Sequence, residues 1–124
     1  MKLMRDCARE ALKTYEDKNK VLEEKESRGI RLGFESSRLW KDFCNAIERA
    51  LLDCDRDSDY EKVGLAYVDY VKARNEYFKS KRDGFDIGLA HTAFIKKNEL
   101  KKTIKGLVGN NRLIKIWKII LYLL

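Results

Sequence analysis

The sequence predicts an all-α protein, a compact bundle of four helices followed by a short hydrophobic C-terminal helix. The chain contains no proline, so nothing in it forces a long helical run to break. Its apolar residues recur three and four positions apart, as they do on one face of a helix. The seven glycines fall mostly where these periodic segments stop. A length of 124 residues is that of one domain, so residues 1–124 are predicted to form a single helical domain.

The first helix is predicted to run from about Lys2 to Arg28. Its apolar residues follow helical spacing: Met4, Cys7, Ala8, Ala11, Leu12, Tyr15 and Leu22. The mixed charges of residues 16–28 are typical of a solvated helical face with opposite charges four residues apart. Gly29 is predicted to end the helix as its C-terminal cap.

The second helix is predicted to start at Ser36 or Ser37, because a serine hydroxyl can accept a hydrogen bond from a backbone amide of the first turn. This helix has the widest apolar face in the chain and is predicted to supply most of the core. The residues on that face are Leu39, Trp40, Phe43, Cys44, Ala46, Ile47, Ala50, Leu51 and Cys54.

The third helix is predicted to begin at Ser58 with a capping box, in which Ser58 and Glu61 each accept a hydrogen bond from the other's backbone amide. It is predicted to end at the basic run before Gly84. Asp86 is predicted to cap a fourth helix that stops at residues 106–111, where two glycines and two asparagines occur. Residues 112–124 are then predicted to form the short C-terminal helix.

An alternating run of aspartates suggests a calcium loop, because such loops place oxygen donors at their first, third and fifth positions. The run consists of Asp53, Asp55, Asp57 and Asp59. Counted from Asp53, the sixth position is Ser58 and the twelfth is Gly64, where the loop needs glycine and glutamate. The sequence therefore predicts no metal site, and these carboxylates are interpreted as favourable charges at the positive end of the third helix.

Catalytic chemistry has little support in the sequence. His91 is the only histidine, and no second histidine or cysteine stands at ligand spacing from it. The glycine pairs lack the Lys-Ser/Thr of a phosphate loop and the third glycine of a dinucleotide fingerprint. We therefore expect a non-enzymatic protein with no cofactor. Three cysteines without a C-x-x-C pair, and an N-terminus unlike a signal peptide, predict buried reduced thiols and a cytoplasmic location.

Positive charge is concentrated in the last third of the chain. Residues 85–124 carry eight basic and two acidic side chains, a net +6 out of +7 for the whole chain. Lys97, Lys101 and Lys105 recur four residues apart and are expected to line the side of the fourth helix opposite Ile87, Phe94 and Ile104. The predicted basic face consists of Lys97, Lys101, Lys102, Lys105, Arg112, Lys115 and Lys118.

The C-terminal helix is apolar over most of its circumference and needs cover on more than one side. Three interpretations remain open: it completes the core, it forms a homodimer interface, or it lies in a membrane surface with basic residues at the headgroups. The residues expected to be covered are Leu113, Ile116, Trp117, Ile120 and Leu124. About 13 residues at roughly 1.5 Å each are too short to span a bilayer core.

The function favoured by these patterns is that of a small binding or regulatory protein. Its basic C-terminal third is expected to dock on an acidic partner, either nucleic acid or an acidic protein surface. The alternatives are a self-assembling protein that dimerises through the C-terminal helix and a peripheral membrane protein that uses the same helix.

Overall fold

A computed structural model describes the backbone of residues 2–29, 33–84 and 86–123, and the side chains of those residues outside 82–83 and 108–119. Four α-helices make up this part of the chain: α1 (Met4–Ser27), α2 (Gly33–Asp53), α3 (Ser58–Asp83) and α4 (Ile87–Leu123). The described residues contain no β-strand, although Lys2 and Cys54 form an isolated parallel bridge. The all-α prediction is confirmed.

The helices form two compact units, residues 1–55 and residues 56–124. Each unit is a helical hairpin: α1 packs against α2 in the first, and α3 packs against α4 in the second. A hairpin of amphipathic helices buries one apolar stripe from each partner, which is what the spacing of apolar residues in each half requires. The single domain over residues 1–124 stays a prediction.

The core of the first unit is built around an aromatic cluster. Tyr15 of α1 meets Trp40 of α2 edge to face, with ring centroids 5.3 Å apart. Phe43 lies 4.8 Å from the Trp40 ring and 5.8 Å from the Tyr15 ring. All three rings are buried. Each aromatic pair of this kind stabilises the fold by about 0.5–1.5 kcal/mol beyond the contribution of its buried apolar area. The wide apolar face predicted for the second helix is therefore largely buried, as expected.

The connection between α1 and α2 begins with the predicted glycine. Gly29 has φ +88° and donates its amide to the carbonyl of Glu26 at 2.9 Å, so it ends α1 in the left-handed conformation that glycine adopts without strain. The predicted start of α2, at Ser36 or Ser37, is three or four residues too late, because the helix already includes Gly33. Ser36 therefore lies inside the helix, where serine costs only a fraction of a kcal/mol relative to alanine.

The second unit buries two short apolar stripes against each other. Val63, Tyr67, Tyr70 and Ala73 of α3 are buried, and so are Leu100, Ile104 and Leu107 of α4. The predicted starts of α3 and α4 agree with the structure to within one residue, since α3 begins at Ser58 and α4 begins at Ile87. Asp86 caps α4 as predicted, because its Oδ1 accepts the amides of Gly88 at 2.9 Å and Leu89 at 3.2 Å.

The C-terminal segment is helical, as predicted, and it is the last part of α4. The interruption predicted at residues 106–111 is absent, since the helix continues through them to Leu123. A glycine in a helix costs only about 1 kcal/mol relative to alanine, and no proline removes a hydrogen bond there. Glycine ends a helix when its backbone turns left-handed, and Gly106 does not.

Candidate functional site

The predicted basic face is divided by the packing of α4. Lys102 and Lys105 are exposed, whereas Lys97 and Lys101 are half-buried. Lys97 lies seven residues before the buried Ile104, which is about two helical turns and therefore the same side. The side chains of Arg112, Lys115 and Lys118 lie outside the described residues.

The expected arrangement of lysines opposite one apolar side is wrong. Ile104 is fully buried, but Ile87 is 76% exposed and Phe94 is 60% exposed, so these three residues do not form one buried side. Phe94 and Lys101 are seven residues apart and share a flank of the helix. Lys101 and Lys105 therefore lie on the side of the helix that carries the exposed Phe94.

Acidic residues are scarce in the sequence of α4, which has eight basic side chains. Glu99 is its only acidic residue, and it pairs with Lys96 through an Nζ–Oε2 distance of 3.2 Å. Both partners are partly exposed, so the pair contributes at most about 1 kcal/mol to stability. Among the lysines of α4 whose side chains the structure describes, Lys102 and Lys105 are the exposed ones.

The C-terminal end of α4 presents a run of exposed apolar side chains. Ile120, Leu121, Tyr122 and Leu123 are all exposed. Soluble proteins scatter such residues singly, and a consecutive run of them is typical of an interaction surface. The prediction that Ile120 is covered is not met within the chain itself. Leu113, Ile116, Trp117 and Leu124, the other residues of the predicted interface, lie outside the side chains that the structure describes.

A second cluster, in the first unit, was not predicted from the sequence. The thiols of Cys7 in α1 and Cys54, just after α2, are in contact with an Sγ–Sγ distance of 3.4 Å. The backbone next to them is also paired, since the amide of Asp55 donates to the carbonyl of Lys2 at 3.1 Å. The two cysteines are 47 residues apart, and no local spacing indicates their contact.

The environment of Cys54 favours the protonated thiol. Burial raises the pKa of Cys54 from 9.0 to about 11, and the hydrogen bond and charge interaction with Cys7 add to this shift. The nearby Asp53 carboxylate also raises the pKa, whereas the Lys2 ammonium group lowers it. Cys54 is therefore a neutral hydrogen-bond donor to Cys7 at physiological pH.

The cysteine pair lines a groove of about 410 Å³ between α1 and α2. Its walls carry both charges, with Glu10 and Asp53 facing the same space as Lys18 and Arg49. The apolar part of the lining includes Tyr15 and Phe43 from the aromatic cluster. A mixed lining of this kind has no single charge preference, so the groove alone does not indicate a ligand class.

The structure also bears on the two features that the sequence argues against, metal-binding groups and membrane-spanning helices. Among the residues that the structure describes, no group of histidine, cysteine or carboxylate side chains has the arrangement of a metal site. His91 is exposed on α4. None of the helices in the described part of the chain has the length and apolarity needed to cross a bilayer.

Comparison with known proteins gives no relative. The chain matches no protein-family model, and neither curated proteins nor solved structures show significant similarity to it.

Proposed function

We propose that the chain is a non-catalytic binding protein that docks on an acidic partner through the outer side of α4. One observation carries this proposal: α4 holds eight basic residues and a single acidic one, with Lys102 and Lys105 exposed. A concentrated positive potential steers oppositely charged surfaces toward it and raises their association rate. Lys97 and Lys101 contribute to this face from half-buried positions.

The exposed apolar residues favour an acidic protein as the partner. Lys102 follows Ile95 by seven residues and Lys105 follows Phe94 by eleven, so each lysine shares a side of the helix with an exposed apolar residue. A protein surface offers carboxylates and apolar groups together, whereas a phosphate backbone offers only charge. Lysine-only contacts to nucleic acid predict binding without sequence preference.

Charge reversal tests this proposal. We expect Lys102→Glu with Lys105→Glu to abolish retention of partner proteins captured from cell lysate, and added salt to weaken retention by the wild type. Lys72→Glu with Lys79→Glu is the matched control, because it makes the same charge change at exposed positions of α3. Equal retention by both double variants contradicts the proposal. Complete loss of the captured material after nuclease treatment identifies nucleic acid as the partner instead.

The exposed C-terminal residues support a second function, self-association through the end of α4. Leu121 is 67% exposed, and its neighbours Tyr122 and Leu123 are more exposed still. A second copy of the chain would cover this run in a symmetric interface. In sedimentation velocity we expect the wild type to be a dimer and Leu121→Glu to be a monomer. The control variant Lys102→Glu should remain a dimer. A monomeric wild type contradicts self-association, and binding of that monomer to anionic vesicles assigns the apolar run to a membrane surface.

A further inference from the structure

We propose that Cys7 and Cys54 are a redox modification site that closes to an intramolecular disulfide by exchange with a low-molecular-weight disulfide such as oxidised glutathione. The contact between the two sulfur atoms, 3.4 Å in the thiol form, is the observation that carries this proposal. A disulfide has a sulfur–sulfur distance of about 2.05 Å, so closure requires a movement of somewhat more than 1 Å. Side-chain rotation supplies movements of this size without rearranging the helices.

The backbone on both sides of the pair is already held in place. The amide of Cys7 donates to the carbonyl of Leu3 at 3.2 Å, and the amide of Cys54 donates to the carbonyl of Ala50 at 2.9 Å. The parallel bridge between Lys2 and Cys54 fixes the two chain segments side by side. Closure therefore starts from an ordered arrangement, and little chain entropy opposes it.

The different exposure of the two thiols sets the order of the steps. Cys7 is partly exposed, whereas Cys54 is only 9% exposed. The Cys7 sulfur, after losing its proton to solvent, attacks the small disulfide and forms a mixed disulfide, and one reduced thiol leaves. The Cys54 sulfur, likewise deprotonated, attacks the Cys7 sulfur, and the second small thiol leaves. Two protein thiols and one small disulfide thus give one protein disulfide and two small thiols.

The third cysteine provides an internal control. Cys44 is 4% exposed within the core face of α2, and it is not among the residues that line the groove beside Cys7 and Cys54. If oxidation depended only on solvent access, the contact between Cys7 and Cys54 would not determine which cysteines become linked. The proposal instead predicts that one defined pair forms.

Closure has a structural consequence for the first unit. The disulfide links the first turn of α1 to the residue after α2, and it encloses 47 residue steps that include both helices. Restricting a loop of this length in the unfolded chain is expected to raise the folding equilibrium constant by roughly 30- to 1,000-fold. The oxidised protein should therefore melt at a higher temperature than the reduced protein.

The test equilibrates the full-length protein in glutathione buffers of increasing oxidised fraction, blocks free thiols with N-ethylmaleimide and maps the tryptic peptides by mass spectrometry. The three cysteines fall in separate tryptic peptides, residues 6–9, 42–49 and 50–56. We expect the first and third peptides to be joined in monomeric protein and released by reduced glutathione, with the second peptide alkylated. Cys44→Ser should behave like the wild type, and Cys54→Ser should stop at a glutathione adduct on Cys7.

Several results would overturn the proposal. One is a wild-type protein that accumulates the Cys7 adduct without losing the free thiol of Cys54. Another is a disulfide that involves Cys44 or joins two chains on a non-reducing gel. A third is a Cys7–Cys54 link that reduced glutathione cannot open, since the proposed modification is reversible. The peptide map of the wild type decides these points even where a cysteine variant fails to fold.

Discussion

The carboxylate of Asp57 accepts the backbone amide of Tyr60, with an Oδ1–N distance of 2.9 Å. Asp57 has extended backbone angles and is the N-terminal cap of α3, which begins at Ser58. The predicted capping box, with Ser58 as the cap, is therefore wrong by one residue. Aspartate is favoured as the cap because its carboxylate both accepts a hydrogen bond from the amide and interacts with the positive end of the helix. One of the alternating aspartates thus has a defined role in folding.

Replacement of Asp57 tests this cap. We expect Asp57→Ala to lower the free energy of unfolding by about 1 kcal/mol, because an amide of the first turn loses its acceptor and the helix end loses a favourable charge. Urea denaturation of the full-length protein, followed by circular dichroism, measures this loss.

The neighbouring serine supplies the control. Ser58→Ala should change the free energy of unfolding by less than about 0.5 kcal/mol, since Ser58 is the first helical residue and does not cap the helix. Asp57→Asn keeps a side-chain oxygen that can accept the amide, and it should recover most of the wild-type stability. A larger loss from Ser58→Ala than from Asp57→Ala would restore the capping box.

The raised pKa of Cys54 predicts a loss of stability at high pH. The folded chain holds the Cys54 proton up to about pH 11, whereas an unfolded thiol releases it near the ordinary value of 9.0. Between these values the folded state binds more protons than the unfolded state, so stability falls as the pH rises. The contribution is fully present below pH 9 and lost as the pH passes 11.

A comparison of variants isolates this effect from the other groups that titrate at high pH. We expect the difference in unfolding free energy between the wild type and Cys54→Ala to decrease from pH 9 to pH 11, at no more than about 1.4 kcal/mol per pH unit. Urea denaturation in a reducing buffer gives the difference at each pH. A difference that stays constant from pH 8 to pH 12 would show that folding leaves the Cys54 pKa unchanged.

The end of α1 and the start of α4 could be predicted from the sequence because their signals are local. Asp86 caps α4 through amides two and three residues away, and Gly29 ends α1 through a carbonyl three residues away. The contact between Cys7 and Cys54 depends on how α1 packs against α2, and no spacing within the sequence contains that information. The thiol pair therefore appears only in the folded hairpin.

The division of the basic face could not be predicted for a related reason. Helical periodicity places residues on a wheel, but the packed partner decides which part of the wheel is covered. The sequence grouped Ile104 with Phe94, and packing against α3 buries the first while leaving the second exposed. Lys97 lies on the same side of α4 as Ile104, so the packing of that side against α3 explains the partial burial of Lys97.

Two isoleucines on α4 test which side of the helix is packed. Ile104→Ala should lower the free energy of unfolding by about 2–5 kcal/mol, because Ile104 is fully buried and its removal leaves a cavity. Ile95→Ala makes the same chemical change at a position that is 40% exposed, and it should cost less than about 1 kcal/mol. Chemical denaturation of both variants under one condition gives the comparison, and equal losses would contradict the packed stripe.

Gly106 tests whether α4 is continuous, and Gly84, which lies before α4, is the control. Gly106 has helical backbone angles, and a methyl group added there would meet nothing within 4 Å. Gly106→Ala should therefore raise the free energy of unfolding by about 0.5–1 kcal/mol, because alanine loses less backbone entropy in a helix. Gly84→Ala should lower it, although that site is equally open, since φ of +132° is strained for alanine. If Gly106→Ala is also destabilising, then the chain turns left-handed at residue 106, and the C-terminal segment is the separate helix that its glycines and asparagines first suggest.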